Sequence, residues 1–226
     1  MTLCGGEPLL LKNLNEYVSA LRPKKIILNT NASLLPSHPG LEQIISGVDI
    51  FGISIDGPNE AIQTAMRGPT ADLAAVVRTA LMLKQLNKHL KIATVATRQN
   101  ISSIPDMIQM IKHINPDIWR IYQFASRSWR GLDENYSVND LDFAELITEV
   151  RKQLEDKVQL STSERQTSRG CFIVDHHGNY LDIHDTTYVK IGNVASMSVI
   201  EAWNKLTNRR EIATNKRWLT SSKFNP

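Results

Sequence analysis

The sequence holds only two cysteines, Cys4 and Cys171, in 226 residues. So few thiols, so far apart, give no disulfide framework, and a reducing cytoplasmic setting is the simplest expectation. Aromatic residues make up 6% of the chain, and no apolar run is long enough to cross a bilayer, so no membrane association is expected. The acidic Glu7 sits where a signal peptide would carry its apolar segment, so no such signal is expected. A net charge of +3 is too small to call for nucleic acid as a partner. No repeat or low-complexity block occurs. What is present is ordinary globular composition, 42% hydrophobic and 22% charged, enough for one domain or one domain with a small appendage.

As far as Phe124, extended apolar runs alternate with helical patterns. Strands are expected near 25–30, 48–55, 90–97 and 118–124. Helices are expected over 12–21, 41–46, 72–87 and 103–114, the last with Ile104, Met107, Ile108 and Ile111 on one face. Near-continuous apolar strands alternating with helices imply a parallel sheet covered by helices, either doubly wound or a barrel. Beyond Phe124 the pattern changes. Residues 125–138 are polar and irregular, 139–155 are helical, and 161–170 form a polar linker. Residues 171–174 and 180–183 form a hairpin turning at His177-Gly178-Asn179, a helix covers 198–206, and the tail from Asn208 frays. This gives an α/β core over 1–138 and a small α+β extension over 139–226.

In parallel α/β folds, ligands bind at the carboxyl ends of the strands. Those ends here are polar or glycine-rich: Gly5-Gly6-Glu7-Pro8, Asn29-Thr30-Asn31, Ser54-Ile55-Asp56-Gly57-Pro58, 94–100 and 123–130. Glycines let backbone approach a ligand, Pro8 fixes the turn, and Glu7 can pair with an ammonium group. Each motif alone has a bland reading, such as a surface turn at Asp56-Gly57-Pro58 or a helix cap at Thr30-Asn31. Their occurrence in order on successive strands is what carries weight.

That ordered set resembles the radical S-adenosylmethionine (radical SAM) superfamily, over roughly the first three-fifths of the chain. The resemblance implies a partial (β/α)6 TIM-like barrel lacking its first βα unit. It implies S-adenosylmethionine (SAM) as cofactor, with the methionyl ammonium held by Gly5, Gly6 and Glu7 and with Pro8 part of the same cofactor-binding turn. Asn31 matches the family's Thr-Asn-Gly, with Ala32 in place of glycine. Ser54 and Asp56 match the fourth-strand contact and its turn, and Arg67 falls where relatives hold the cofactor's carboxylate. Asn100 matches a frequent asparagine, and Gln123 ends the strand beside adenine or substrate. The implied reaction is reductive cleavage of SAM to a 5′-deoxyadenosyl radical that abstracts a substrate hydrogen, with a flavodoxin or ferredoxin as reductant.

The family's 4Fe–4S cluster is held by a Cys-x3-Cys-x2-Cys loop that this sequence lacks. Cys4 lies on the wrong strand and reads as a small buried residue, so no residue of this chain is assigned to metal. The chain therefore reads as truncated before or through that loop and as inactive in this form, with its first strand left as an exposed edge. The alternative is a non-catalytic SAM-binding or interaction protein derived from the same fold. A barrel lyase needs a lysine or paired acids at strand ends, whereas Lys91 falls at a strand start.

The stretch from Cys171 through Gly192-Asn193 to Trp203 resembles the SPASM or twitch extension of radical SAM peptide maturases. The second cysteine of that pattern is absent. A mononuclear site from His176, His177, Asp182 and His184 is the weaker reading beside a polar hairpin face. Trp119, Arg120 and Phe124, followed by Arg127, Trp129 and Arg130, form a basic aromatic segment expected to overhang the barrel. It suits an anionic substrate, a peptide or a nucleotide. With two cysteines, anaerobic reconstitution is expected to leave far less iron than a 4Fe–4S cluster per chain; stoichiometric cluster by iron and sulfide analysis contradicts this.

Overall fold

The structure, a computed structural model, describes residues 1–21, 25–125, 133–154, 158–164, 173–184 and 187–206. It divides into two compact units, one of Met1–Phe124 with Tyr136–Ser163, the other of Ala125–Asn135 with Glu164–Pro226. The helix near 140–154, grouped by sequence with the extension, lies in the first unit.

The first unit is built on six strands: β1 (Thr2–Leu3), β2 (Ile27–Thr30), β3 (Ile50–Ser54), β4 (His89–Ala96), β5 (Ile118–Gln123) and β6 (Gln159–Ser163). They pair in sequence order and every pair is parallel. A sheet in which each crossover advances one strand the same way, with right-handed crossovers, carries all its helices on one face. The topology is therefore that of a partial barrel, not a doubly wound sheet. Helices α1 (Leu14–Ala20), α2 (Leu41–Gly47), α3 (Glu60–Arg67), α4 (Leu73–Gln85) and α5 (Ile108–Ile114) lie in the connections. Helix α7 (Asp140–Leu154) precedes β6, and the short α6 (Asp133–Tyr136) falls across the division between the units.

Strand alternation separates two faces. Leu28, Phe51, Ile53, Leu90, Ile92, Trp119 and Ile121 fall on one face by register and belong to the buried core with the apolar stripes of α4, α5 and α7. Trp119 is wholly buried there, and its indole N–H donates to Thr94 Oγ1 at 3.0 Å. The opposite face carries Asn29, Gly52, Ser54, Lys91, Arg120, Tyr122, Ser161 and Ser163. This second face mixes those polar residues with Ile27, Ile50, Ala93, Val95 and Ile118.

Two elements depart from the sequence reading. The linker expected over 161–170 begins instead inside β6, whose Gln-Leu-Ser-Thr-Ser is too polar to signal a strand but pairs with β5 from Ile118↔Gln159 to Tyr122↔Ser163. Helix α3 was not anticipated at all. It is strongly amphipathic and starts at Asn59, whose side chain caps the Ile62 N–H at 3.1 Å.

The second unit contains an antiparallel sheet of β7 (Ile173–Val174), β8 (Asn179–His184) and β9 (Thr187–Asn193), then α8 (Val199–Lys205). The expected hairpin is present, extended by a third strand. Asp175 closes its turn by accepting from the N–H groups of His177 and Asn179, with Gly178 at φ +73°. Ser198 and Glu201 form a capping box at α8.

Replacing Trp119 by Phe keeps most of the buried surface but strips Thr94 of its donor. Chemical denaturation is expected to show a loss of about 1–3 kcal/mol; a change within 0.5 kcal/mol, on the order of a surface substitution, contradicts the assigned packing.

Candidate active site

The expected ligand surface lies at the carboxyl ends of β1 to β5. Gly5 and Gly6 follow β1 with φ of +94° and +44°, a region that favours glycine. A Cβ built on either would meet no atom within 4 Å. The two residues are thus glycine for their backbone conformation, and the space beside them is open to a ligand.

Glu7 is the anchor of this turn. Its Oε1 accepts from the Leu9 N–H at 3.0 Å and from the Thr30 hydroxyl at 2.6 Å. Its Oε2 accepts from the Asn31 N–H at 2.7 Å. Three of about four acceptor sites on a carboxylate are used, and Oε2 keeps room for another donor. The carboxylate thereby ties the end of β1 to the end of β2. Pro8, buried, opens the single 3-10 turn that follows. Asn31 spends its side-chain oxygen on the N–H and hydroxyl of Ser33. Ala32 adopts φ +65° and is fully buried. Cys4, expected to be buried, is exposed, because β1 ends at Leu3 and Cys4 belongs to the exposed turn with Gly5 and Gly6.

Ser54 ends β3, half-buried. Two residues on, Asp56 is 1% exposed. Its Oδ1 accepts from the Val95 N–H at 2.7 Å and its Oδ2 from the Arg67 Nε–H. Its own N–H donates to Gln63 Oε1 at 2.8 Å, and its carbonyl accepts from Asn100 Nδ2 at 2.7 Å. Burial pushes the Asp56 carboxyl above the ordinary carboxylate range, while the Arg67 charge opposes that shift. Asn100 also donates to the Val95 carbonyl and accepts from the Thr97 N–H, so its amide is consumed within the protein. Gln123 donates to the Val138 carbonyl at 3.1 Å and to Asp140 Oδ1 at 2.7 Å, tying β5 to the start of α7.

The inner wall of the barrel supplies residues that the sequence did not flag as a group. Lys91 and Arg120 are 3% and 4% exposed. Lys91 Nζ donates to Asn29 Oδ1 at 3.0 Å. Gly52 makes that crossing possible, because a Cβ there would stand 2.1 Å from Asn29 Oδ1 and 3.0 Å from Lys91 Cε. Burial, reinforced by the Arg120 charge, lowers the Lys91 amine to about 8. Lys91 falls on the third residue of β4, and Arg120 lies within β5 over the Tyr122 ring instead of overhanging the barrel. Arg127, Trp129, Arg130 and Cys171 lie outside the described residues, as does the side chain of His184. His176 and His177 are exposed on the turn while Asp182 is buried, and no group of three His, Cys, Asp or Glu that could hold a metal ion occurs among the described residues.

The comparisons bear on the class of protein to which this set of strand ends belongs. The family model for the radical SAM superfamily matches residues 1–111. The chain belongs to the radical SAM superfamily. Among curated relatives it is 27% identical over 120 residues to an AdoMet-dependent heme synthase of Nitratidesulfovibrio vulgaris, covering 52% of this chain and 33% of that protein. It is 23% identical over 176 residues to the subtilosin biosynthesis protein AlbA of Bacillus subtilis, covering 75% and 39%. The chain thus spans about a third of the length of such relatives. Among solved structures, native anSMEcpe with bound AdoMet and a peptide aligns at TM-score 0.65 and 17% identity over 94% of this chain and 68% of that one. SuiB of Streptococcus suis bound to precursor peptide SuiA aligns at TM-score 0.61 and 18% identity over 72% and 37%. These likenesses show the fold.

The family uses SAM and a 4Fe–4S cluster. The open space at Gly5 and Gly6 and the Arg67 side chain, 34% exposed, fit SAM. The two cysteines do not fit the three-thiolate ligation of the cluster. No helix among the described residues is long and apolar enough to cross a membrane.

Two variants test this geometry. Glu7→Ala deprives three donors of a charged acceptor and is expected to cost roughly 2–4 kcal/mol by chemical denaturation; less than about 0.5 kcal/mol, the level of a neutral surface change, contradicts the anchoring role. Lys91 ionises lower folded (about 8) than unfolded (10.5), so the unfolded state binds more protons between those values. Stability from this group therefore rises as pH climbs from about 8 to 10.5. Lys91→Met is expected to remove that rise; parallel pH–stability curves for the two proteins contradict it.

Proposed function

We propose that this chain holds SAM at the ends of β1 to β4 as the cofactor-binding part of a radical SAM enzyme acting on a peptide. The observation that carries the reading is the pair Gly5 and Gly6, held at positive φ with open space where a side chain would lie, beside a Glu7 locked by three donors. SAM held by Gly5, Gly6, Glu7 and Arg67 would supply the radical chemistry, through one-electron reductive cleavage with methionine as the leaving group. The residues of this chain contribute binding and orientation. Gly5 and Gly6 admit the methionyl end, Oε2 of Glu7 has room to accept from an ammonium, and the outer edge of Arg67 matches a carboxylate. Ser54 and the polar inner wall face the substrate side.

A peptide substrate is supported by the neighbours whose names carry one, anSMEcpe with its peptide and SuiB with SuiA, and by AlbA, a bacteriocin biosynthesis protein. A heme-synthase-type reaction is the second reading, favoured by the higher identity to those relatives and by the buried cations Lys91 and Arg120, which suit an anionic substrate. By itself the chain is expected to bind SAM without cleaving it, since its cysteines do not suffice for a cluster.

Isothermal titration of this chain with SAM tests the reading. Saturable one-site binding is expected. Gly6→Asn tolerates positive φ yet fills the open space, so the fold should survive while affinity falls about tenfold or more. Absence of SAM binding by the folded chain, or unchanged affinity in Gly6→Asn, contradicts the proposal.

A further inference from the structure

We propose that Asp56 is a positioning residue that aims the guanidinium of Arg67 at the carboxylate of the bound ligand. The inference rests on the SAM reading above and adds to it a device for orientation. Asp56 was expected from sequence to touch the cofactor itself. The structure shows a different use: all its polar atoms are taken up by the protein. Both carboxylate oxygens, the N–H and the carbonyl are bonded to Val95, Arg67, Gln63 and Asn100 respectively. Gly57 locks the turn further, since a Cβ there would stand 2.6 Å from Ile62 Cγ2 and 2.8 Å from the Gln63 nitrogen. Asp56 is thus a buried charge fixed from four directions, unable to reorient towards a ligand.

Arg67 is the last residue of α3 and ends it against Gly68, at φ +93°. It differs from Asp56 in exposure: its side chain is 34% accessible. Only Nε–H is bonded to Asp56, and the two terminal nitrogens make no hydrogen bond to any described residue. A guanidinium carries five N–H donors in a rigid plane. Tethering it by Nε leaves the two terminal nitrogens, whose N–H groups can pair bidentately with a carboxylate, uncommitted to Asp56. A free arginine loses considerable rotamer freedom on binding a ligand. Here that ordering is already in place in the folded protein. The buried partner of a half-exposed arginine also sets its direction more firmly than a surface pair would.

The test compares SAM with decarboxylated SAM, which lacks the methionyl carboxylate, by isothermal titration on this chain. Asp56→Asn is expected to weaken SAM about tenfold and decarboxylated SAM less than about twofold. Arg67→Ala should weaken SAM at least as much, and adding Asp56→Asn to it should change nothing further. If Asp56→Asn does not fold, the Arg67 Nε–H resonance of the unmodified chain decides. Slow solvent exchange before ligand is added is expected, and exchange as fast as in free arginine overturns the proposal. Equal weakening of both ligands, or none, by Asp56→Asn overturns positioning while leaving SAM binding intact. Wild-type protein that binds both ligands equally, or neither, overturns the proposal through the reading beneath it.

Discussion

A carboxylate buried as deeply as Asp56 must be met by donors on every side, and the way it is met holds the ligand surface in shape. Its partners come from three separate stretches: Val95 in β4, Asn100 just beyond it, and Gln63 and Arg67 in α3. Glu7 does the same for the other half of the surface, where it joins the turn after β1 to Thr30 and Asn31 at the end of β2. Two acidic residues thus staple the strand ends in pairs. The glycines Gly5 and Gly6 and the outer edge of Arg67 are what the staples leave facing outward. A site built this way is ordered before any ligand arrives, which is where much of the gain from preorganisation lies.

The sheet below supplies the second constraint. Sequential parallel pairing places the crossover helices of the first unit on one face, so the apolar strand residues share a core with α4, α5 and α7. The other face is free to be polar. It sets the half-buried Asn29 beside the buried Lys91 and Arg120, at a cost visible in the lowered ionisation of Lys91. Gly52 is the concession that lets Lys91 reach Asn29 across the middle strand. Burying these cations costs stability, a departure from an all-apolar interior of the kind found at functional sites.

The strands and helices of the core were legible because their apolar periods are strong: α4 and α5 and strands β2 to β5 stand close to where the pattern places them. β6 was not, because Gln159, Ser161, Thr162 and Ser163 carry no strand signal and pair only through β5. α3 was hidden by its polar Glu-Ala-Ile-Gln start. The site was legible as a set of strand ends but not in its division of labour. Asp56 and Gln123 are marked by position as ligand contacts and Asn100 as a frequent asparagine, yet their side chains bind neighbouring backbone and side chains. Only three-dimensional register reveals that, since the partners lie up to 44 residues away. Gln63, which accepts from Asp56, carried no signal in the sequence.

The most direct test of the account is a backbone amide and arginine side-chain NMR map of this chain titrated with SAM. The account predicts that the largest shifts fall on Gly5, Gly6, Ser54 and the terminal nitrogens of Arg67, with the hairpin around His177 unmoved. Shifts centred on that hairpin, or none at the strand ends at saturating SAM, would contradict it.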